Sequence, residues 1–104
     1  MKKTLPINIS QEQLSAFCQQ YHIAKLSLFG SVLREDFTPK SDIDFLVEFE
    51  VGKTPGFFTL AQMERELSVM INWPRIDLRT PPELSIYFRN RIIQEAEVLY
   101  ELSC

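Results

Sequence analysis

Phe29-Gly30-Ser31-Val32-Leu33-Arg34-Glu35-Asp36-Phe37-Thr38-Pro39-Lys40-Ser41-Asp42-Ile43-Asp44 joins two apolar runs and decides how the chain is read. Upstream, Ile23 to Phe29 has β-compatible composition with Leu26 and Leu28 on one side, and Gly30 bounds it, so it is read as a strand. Downstream, Ile43, Phe45, Val47 and Phe49 alternate with Asp44, Leu46 and Glu48, the clearest period-two signal in the sequence. One face of this second strand is therefore assigned to the core, and the face that starts with Asp42 and Asp44 is not. Between the strands, Gly30-Ser31 opens a short segment, Val32 to Glu35, with room for about one helical turn before Thr38-Pro39-Lys40 breaks it.

Working outward, Ser10 with Gln13 forms a capping box, and Leu14, Phe17, Cys18 and Tyr21 recur at helical spacing, predicting a helix from about Gln11 to Tyr21. Glu50 to Gly56 contains Gly52, Pro55 and Gly56 and reads as a loop. Phe57 to Ile71 is a second helix, with Leu60, Met63, Leu67 and Met70 or Ile71 on its buried side. Trp73-Pro74 ends it, and Arg75 to Arg79 forms a short third strand that turns Ile76 and Leu78 one way and Asp77 the other. Thr80 with Glu83, and Pro81 at the first helical position, predict a third helix to about Ile93. The alternating Glu95 to Leu102 fits an edge strand, with a continued helix as the alternative. Helices alternating with strands give an α/β (α+β) domain, a small mixed sheet flanked by helices.

At 104 residues the expectation is one domain spanning 1–104, large enough for a single core. A hydrophobic share of 45% with 24% charged residues excludes disordered and fibrous classes. The formal charge of -3 supplies no general basic field, so direct nucleic-acid binding is not expected, although Arg75, Arg79, Arg89 and Arg91 can form a local patch or a solvated face. No window approaches the roughly 20 apolar residues of a membrane span, and the expected location is the cytoplasm. Cys18 is read as core filler and Cys104 as an exposed thiol, without a disulfide framework. His22, the single histidine, has no ligand cluster and is assigned a structural or surface role at a helix end.

The chemistry gathers at the two ends of the opening stretch. Residues two apart on a strand point the same way with Cα atoms about 6.6 Å apart, so Asp42 and Asp44 can reach into one site. Hard carboxylate oxygens suit Mg²⁺, and Asp77 joins them if the third strand lies beside the second. Two metal ions about 3.5 to 4 Å apart would want three carboxylates, and three are present. Gly30 permits close approach of backbone N–H groups to a phosphate, and the Ser31 hydroxyl adds a donor. Each signal alone is weak: a Gly-Ser pair is usually a turn, and an Asp-Ile-Asp run is usually an exposed strand start.

Taken together, Gly30-Ser31, ten residues, then Asp42-Ile43-Asp44 resembles the signature of the nucleotidyltransferase superfamily that includes DNA polymerase beta. Leu28-Phe29-Gly30-Ser31, Arg34 and Ser41-Asp42-Ile43-Asp44-Phe45-Leu46-Val47 resemble its minimal nucleotidyltransferase branch. The resemblance covers roughly Leu26 to Leu78, and Arg89 to Tyr100 is similar to that branch's closing segment. It implies a polymerase beta palm-like fold, nucleotide binding by Gly30, Ser31, Arg34 and Ser41, and metal binding and catalysis by Asp42, Asp44 and Asp77. Of these, Asp77 is the residue expected to assist deprotonation of the acceptor. The branch commonly has Gly after the motif arginine where this chain has Glu35, so a salt bridge from Arg34 to Asp36 or Glu35 is the alternative use of that arginine.

Stand-alone chains of this size resemble antitoxins paired with HEPN-domain toxins, which are ribonucleases. The resemblance implies Mg²⁺-dependent transfer of AMP from ATP to a tyrosine of such a toxin, within a hetero-oligomer. Trp73, Phe57 and Phe58 are candidate partner contacts, core packing being the preferred use of the two phenylalanines. Two other readings differ in class: an antitoxin that neutralises by binding alone, and a small-molecule nucleotidyltransferase that needs a helper subunit. All three carboxylates being present favours catalysis, since binding alone needs none of them.

Overall fold

The computed structural model describes residues 9–30 and 40–102. Its elements are α1 (Gln11–Gln20), β1 (Ile23–Phe29), β2 (Ile43–Phe49), α2 (Phe57–Ile71), β3 (Ile76–Arg79), a 3-10 turn (Pro81–Glu83), α3 (Arg89–Glu95) and β4 (Glu97–Glu101). The four strands form one mixed sheet in the order β3-β2-β1-β4, in which β1 runs antiparallel to both neighbours and β3 lies parallel to β2. A parallel pair needs a crossover, and α2 supplies it between β2 and β3.

Burial explains why the elements form where they do. Leu14, Phe17 and Cys18 on α1 and Met63, Leu67 and Ile71 on α2 meet Leu26, Leu28, Ile43, Phe45, Val47 and Leu78 from the sheet in one core. The helical spacing and the alternating strand residues thus converge on the same face. Burial pushes the Cys18 thiol up to about 12, as befits a core residue. Leu46, on the opposite face of β2, is buried as well, so the second face is not wholly given to solvent.

The helix ends are built by local hydrogen bonds. Ser10 Oγ accepts from the Gln13 amide at 3.4 Å at the start of α1. His22 takes a left-handed conformation (φ 57°) after α1, and its Nδ1 stands 3.9 Å from a Glu50 carboxylate oxygen. At the end of α2, Asn72 adopts φ 55°, its N–H donates to Val69 O at 3.2 Å, and the Trp73 N–H donates to Ser68 O at 3.0 Å. That bond pattern is a Schellman ending, with Asn in place of the commoner glycine.

The C-terminal third departs from the sequence reading. No continuous helix runs from Thr80 to Ile93: Leu84 is extended (ψ 146°), and α3 starts only at Arg89. Thr80 Oγ1 bonds the Glu83 carboxylate at 2.9 Å rather than capping a backbone N–H, so the expected capping box is spent side chain to side chain. Ser85 then starts a new turn, its carbonyl accepting from the Phe88 and Arg89 amides. Ile86-Tyr87-Phe88, β-branched and aromatic, are poor helix formers and do not bridge the gap. Of the two options for the last segment, the edge strand is the one formed. The expected short helix at Val32 to Glu35, together with Cys104, lies outside the described residues.

Candidate active site

Two strand registers assemble the carboxylates. The antiparallel β1–β2 pairing sets Phe29 opposite Asp44, and the parallel β2–β3 pairing sets Asp44 opposite Asp77. Cross-strand partners share a face and are separated by about one strand spacing, roughly 4.8 Å. Asp44 alternates with core residues Ile43 and Phe45, so both aspartates stand on the face turned from the helices.

Gly30, directly after β1, is required on two grounds. Its φ of +81° is a conformation that side chains rarely adopt, and a Cβ there would lie 2.6 Å from Asp44 Oδ2. The Asp44 carboxylate therefore sits against the bare backbone at the end of β1, in the place where the sequence reading puts a phosphate cradle beside a metal site.

Asp44 is half-buried, and its carboxyl is raised above the ordinary aspartate value, first by desolvation, then by the negative charges of Asp77 and Asp42. Arg79 acts in the opposite direction. Asp42 itself precedes β2 by one residue and is exposed. Asp77 stands 3.7 Å from Arg79 Nη2, and the other guanidinium nitrogen stands 3.9 Å from Glu83.

Among the described residues, no three His, Cys, Asp or Glu side chains are gathered closely enough to hold a metal ion. The donor set nonetheless fits a hard divalent cation. Asp44 carries the unfavourable field of two neighbouring carboxylates, and oxygen ligands of this kind are what Mg²⁺ takes. The register supplies the pairing, while the side chains are not drawn around a point.

The segment that leads into Asp42 and Asp44 is held from the loop before β3. The Trp73 indole N–H donates to the Ser41 carbonyl at 2.9 Å, and Arg75 Nη1 donates to the Lys40 carbonyl at 2.8 Å. The Ile43 N–H in turn donates to the Arg75 carbonyl at 2.9 Å. The Schellman ending of α2 thus aims Trp73 at the start of β2, which fixes the height of the aspartates relative to β3. Glu64 on α2 accepts the Leu78 N–H at 2.9 Å, occupying a donor on the outer edge of β3. A cavity of about 230 Å³ lies between α2 and β3, lined in part by Phe57, Leu60, Asp77 and Arg79.

Gly30, Asp44 and Asp77 are therefore brought together, with Asp42 close enough for its charge to act on Asp44. Ser41 is held through its backbone, and Ser31, Arg34 and Glu35 lie outside the described residues. Phe57 and Phe58, which begin α2, are 79% and 87% exposed, which corrects their assignment to core packing. Trp73 is half-buried against the core. Of the four arginines, Arg75 and Arg89 bond the Lys40 and Leu84 carbonyls, and Arg79 and Arg91 pair with acidic residues. Sequence reasoning missed Arg79, although a residue two after Asp77 on a strand must share its face. Nothing local signals the Trp73 bond, whose partner is 32 positions away.

A model of the nucleotidyltransferase domain matches residues 10–99. The chain belongs to that family. Two proteins of Methanocaldococcus jannaschii, provisionally named protein adenylyltransferases, are similar to this nucleotidyltransferase. One is 29% identical over 90 residues, covering 86% of this chain and 94% of the relative. The other is 38% identical over 53 residues, about half of either chain (51% and 52%). A solved structure described as that of a minimal nucleotidyltransferase, itself provisionally assigned, superposes with a TM-score of 0.67 at 28% identity, covering 83% of this chain and 85% of the other. A toxin–antitoxin structure with AMP-PNP shares the fold with a TM-score of 0.70 at 15% identity, over 91% of this chain and 76% of the other. The mixed sheet with its flanking helices is thus the nucleotidyltransferase fold. Among the described residues, no helix of this nucleotidyltransferase is long and apolar enough to cross a membrane.

Proposed function

We propose that this nucleotidyltransferase transfers AMP from ATP to a tyrosine of a partner protein, a HEPN-domain toxin whose antitoxin it is. The observation that carries the reading is the row Gly30–Asp44–Asp77, where a backbone without a side chain meets two paired carboxylates. The provisional names of the relatives and the toxin–antitoxin nature of a structural neighbour support the choice of nucleotide and acceptor.

In this reading Asp42, Asp44 and Asp77 hold Mg²⁺, which supplies positive charge for the phosphates when bound. The bare backbone at Gly30 admits the Asp44 carboxylate, and in this reading Gly30, Ser31, Arg34 and Ser41 make the nucleotide contacts. Asp77, half-exposed on the edge strand, accepts the proton of the acceptor hydroxyl. The tyrosine oxygen forms a bond to the α-phosphorus as the bond from that phosphorus to the bridging oxygen breaks, and pyrophosphate leaves with the electron pair.

Co-expression with a HEPN-domain toxin, followed by intact-mass measurement with ATP and Mg²⁺, tests the proposal. The toxin should gain the mass of AMP, and Asp44→Ala should abolish the gain. An unmodified toxin that is still neutralised by an Asp42→Ala/Asp44→Ala variant would instead establish inhibition by binding.

A further inference from the structure

Asp77 and Arg79 are two apart on β3 and so project from the same face, beside Asp44 on β2. The guanidinium lies between two carboxylates, 3.7 Å from Asp77 and 3.9 Å from Glu83. Both separations exceed the roughly 2.7 to 2.9 Å of a charge-assisted hydrogen bond, so neither carboxylate holds it tightly. All three side chains are near half-exposed (48% for Arg79, 41% for Asp77, 43% for Glu83), which keeps such pairs weak and easily exchanged. Glu83 is itself held by Thr80 Oγ1 at 2.9 Å, so one of the two partners is anchored away from the aspartate pair.

We propose that Arg79 is a resident counter-ion of the Asp44–Asp77 pair, a positioning residue that yields to an incoming divalent cation and is retained by Glu83 when it does. Without it, two carboxylates on adjacent strands would face each other with Asp42 nearby, and like charges so placed destabilise the pairing that brings them together. With it, the two strands can pair in this register before any cation arrives, at the cost of competing with that cation. The side chain's second partner sets the direction of release: a guanidinium that leaves Asp77 still has the Glu83 carboxylate beside it and stays at the rim of the site. The inference rests on the reading of Asp42, Asp44 and Asp77 as a cation site.

The test uses the full chain without nucleotide, with Mn²⁺ as the probe, reading free Mn²⁺ by electron paramagnetic resonance. Removing a charge next to a half-exposed carboxylate should tighten Mn²⁺ binding in Arg79→Gln by roughly three- to fivefold. Arg79→Lys, which keeps the charge, should stay near the wild-type affinity. Arg91→Gln removes the same charge from the exposed Arg91–Glu95 pair on α3 and should leave the affinity unchanged. High salt should shrink the difference between Arg79→Gln and the wild type, since exposed charges are screened. Unchanged or weaker binding in Arg79→Gln, or equal tightening in Arg91→Gln, would overturn the counter-ion role while leaving the cation site standing. If wild type and Arg79→Gln both leave Mn²⁺ free at millimolar concentration, the cation site itself fails, and the inference with it.

Discussion

The helices α2 and α3 carry apolar residues to opposite ends. α2 spends Met63, Leu67 and Ile71 on the core and then, through its Schellman ending, delivers Trp73 to the start of β2. α3 buries no residue, and the chain leading into it leaves Ile86, Tyr87 and Phe88 exposed. One helix thus fixes the site, while the other lies beside the fold without being consumed by it. The difference is one of register: an apolar stripe stabilises a helix only where a matching face receives it.

The largest expected effect sharpens that contrast directly. Leu67→Ala, in a fully buried position of α2, should lower stability by about 2 to 5 kcal/mol, whereas Ile93→Ala on α3 should change it by less than about 1 kcal/mol. Urea denaturation of the two variants measures both, and comparable losses would show that α3 is packed after all. Next, Gly30→Ala forces a side chain into a left-handed backbone position and against the Asp44 carboxylate, and should cost about 1 to 3 kcal/mol. Its amide resonances should shift at Asp44 and Asp77 while those of α3 stay in place. The smallest effect belongs to Trp73→Phe, which keeps most of the packing but removes the bond to the Ser41 carbonyl, a loss of about 1 kcal/mol. Amide hydrogen exchange should then quicken at Ile43, whose N–H is tied to the same loop, and not at Ile92. Equal quickening at both would break the idea that α2 and its ending govern the site separately from α3.

Much of this was legible in the residues. The alternation in β2, the bounds of β1 and α2, and the strand faces on which Asp44 and Asp77 lie all follow from periods that one buried face imposes. The third helix was misread because Thr80, Pro81 and Glu83 form a sound helix start in isolation, while the Glu83 side chain is shared with Arg79 and Thr80 in the folded chain. For Phe57 and Phe58 the reason is related: their composition suits a core, but the buried side of α2 is made by Met63, Leu67 and Ile71, and the two phenylalanines stay exposed.

By itself, the sequence determined which residues could do chemistry and which faces they occupy, because a period of two or of 3.6 is a property of the local backbone. It determined Gly30 as the place for an unusual backbone and Asp42, Asp44 and Asp77 as the acidic set. Only the tertiary structure decided that β3 lies parallel to β2 in the register that sets Asp77 against Asp44. Only it decided, too, that Gly30 is demanded by the Asp44 carboxylate, that Trp73 and Arg75 hold the start of β2, and that Arg79 stands among the carboxylates. Those facts depend on contacts between segments distant in the chain, where strand order and register, rather than local propensity, fix which atoms meet.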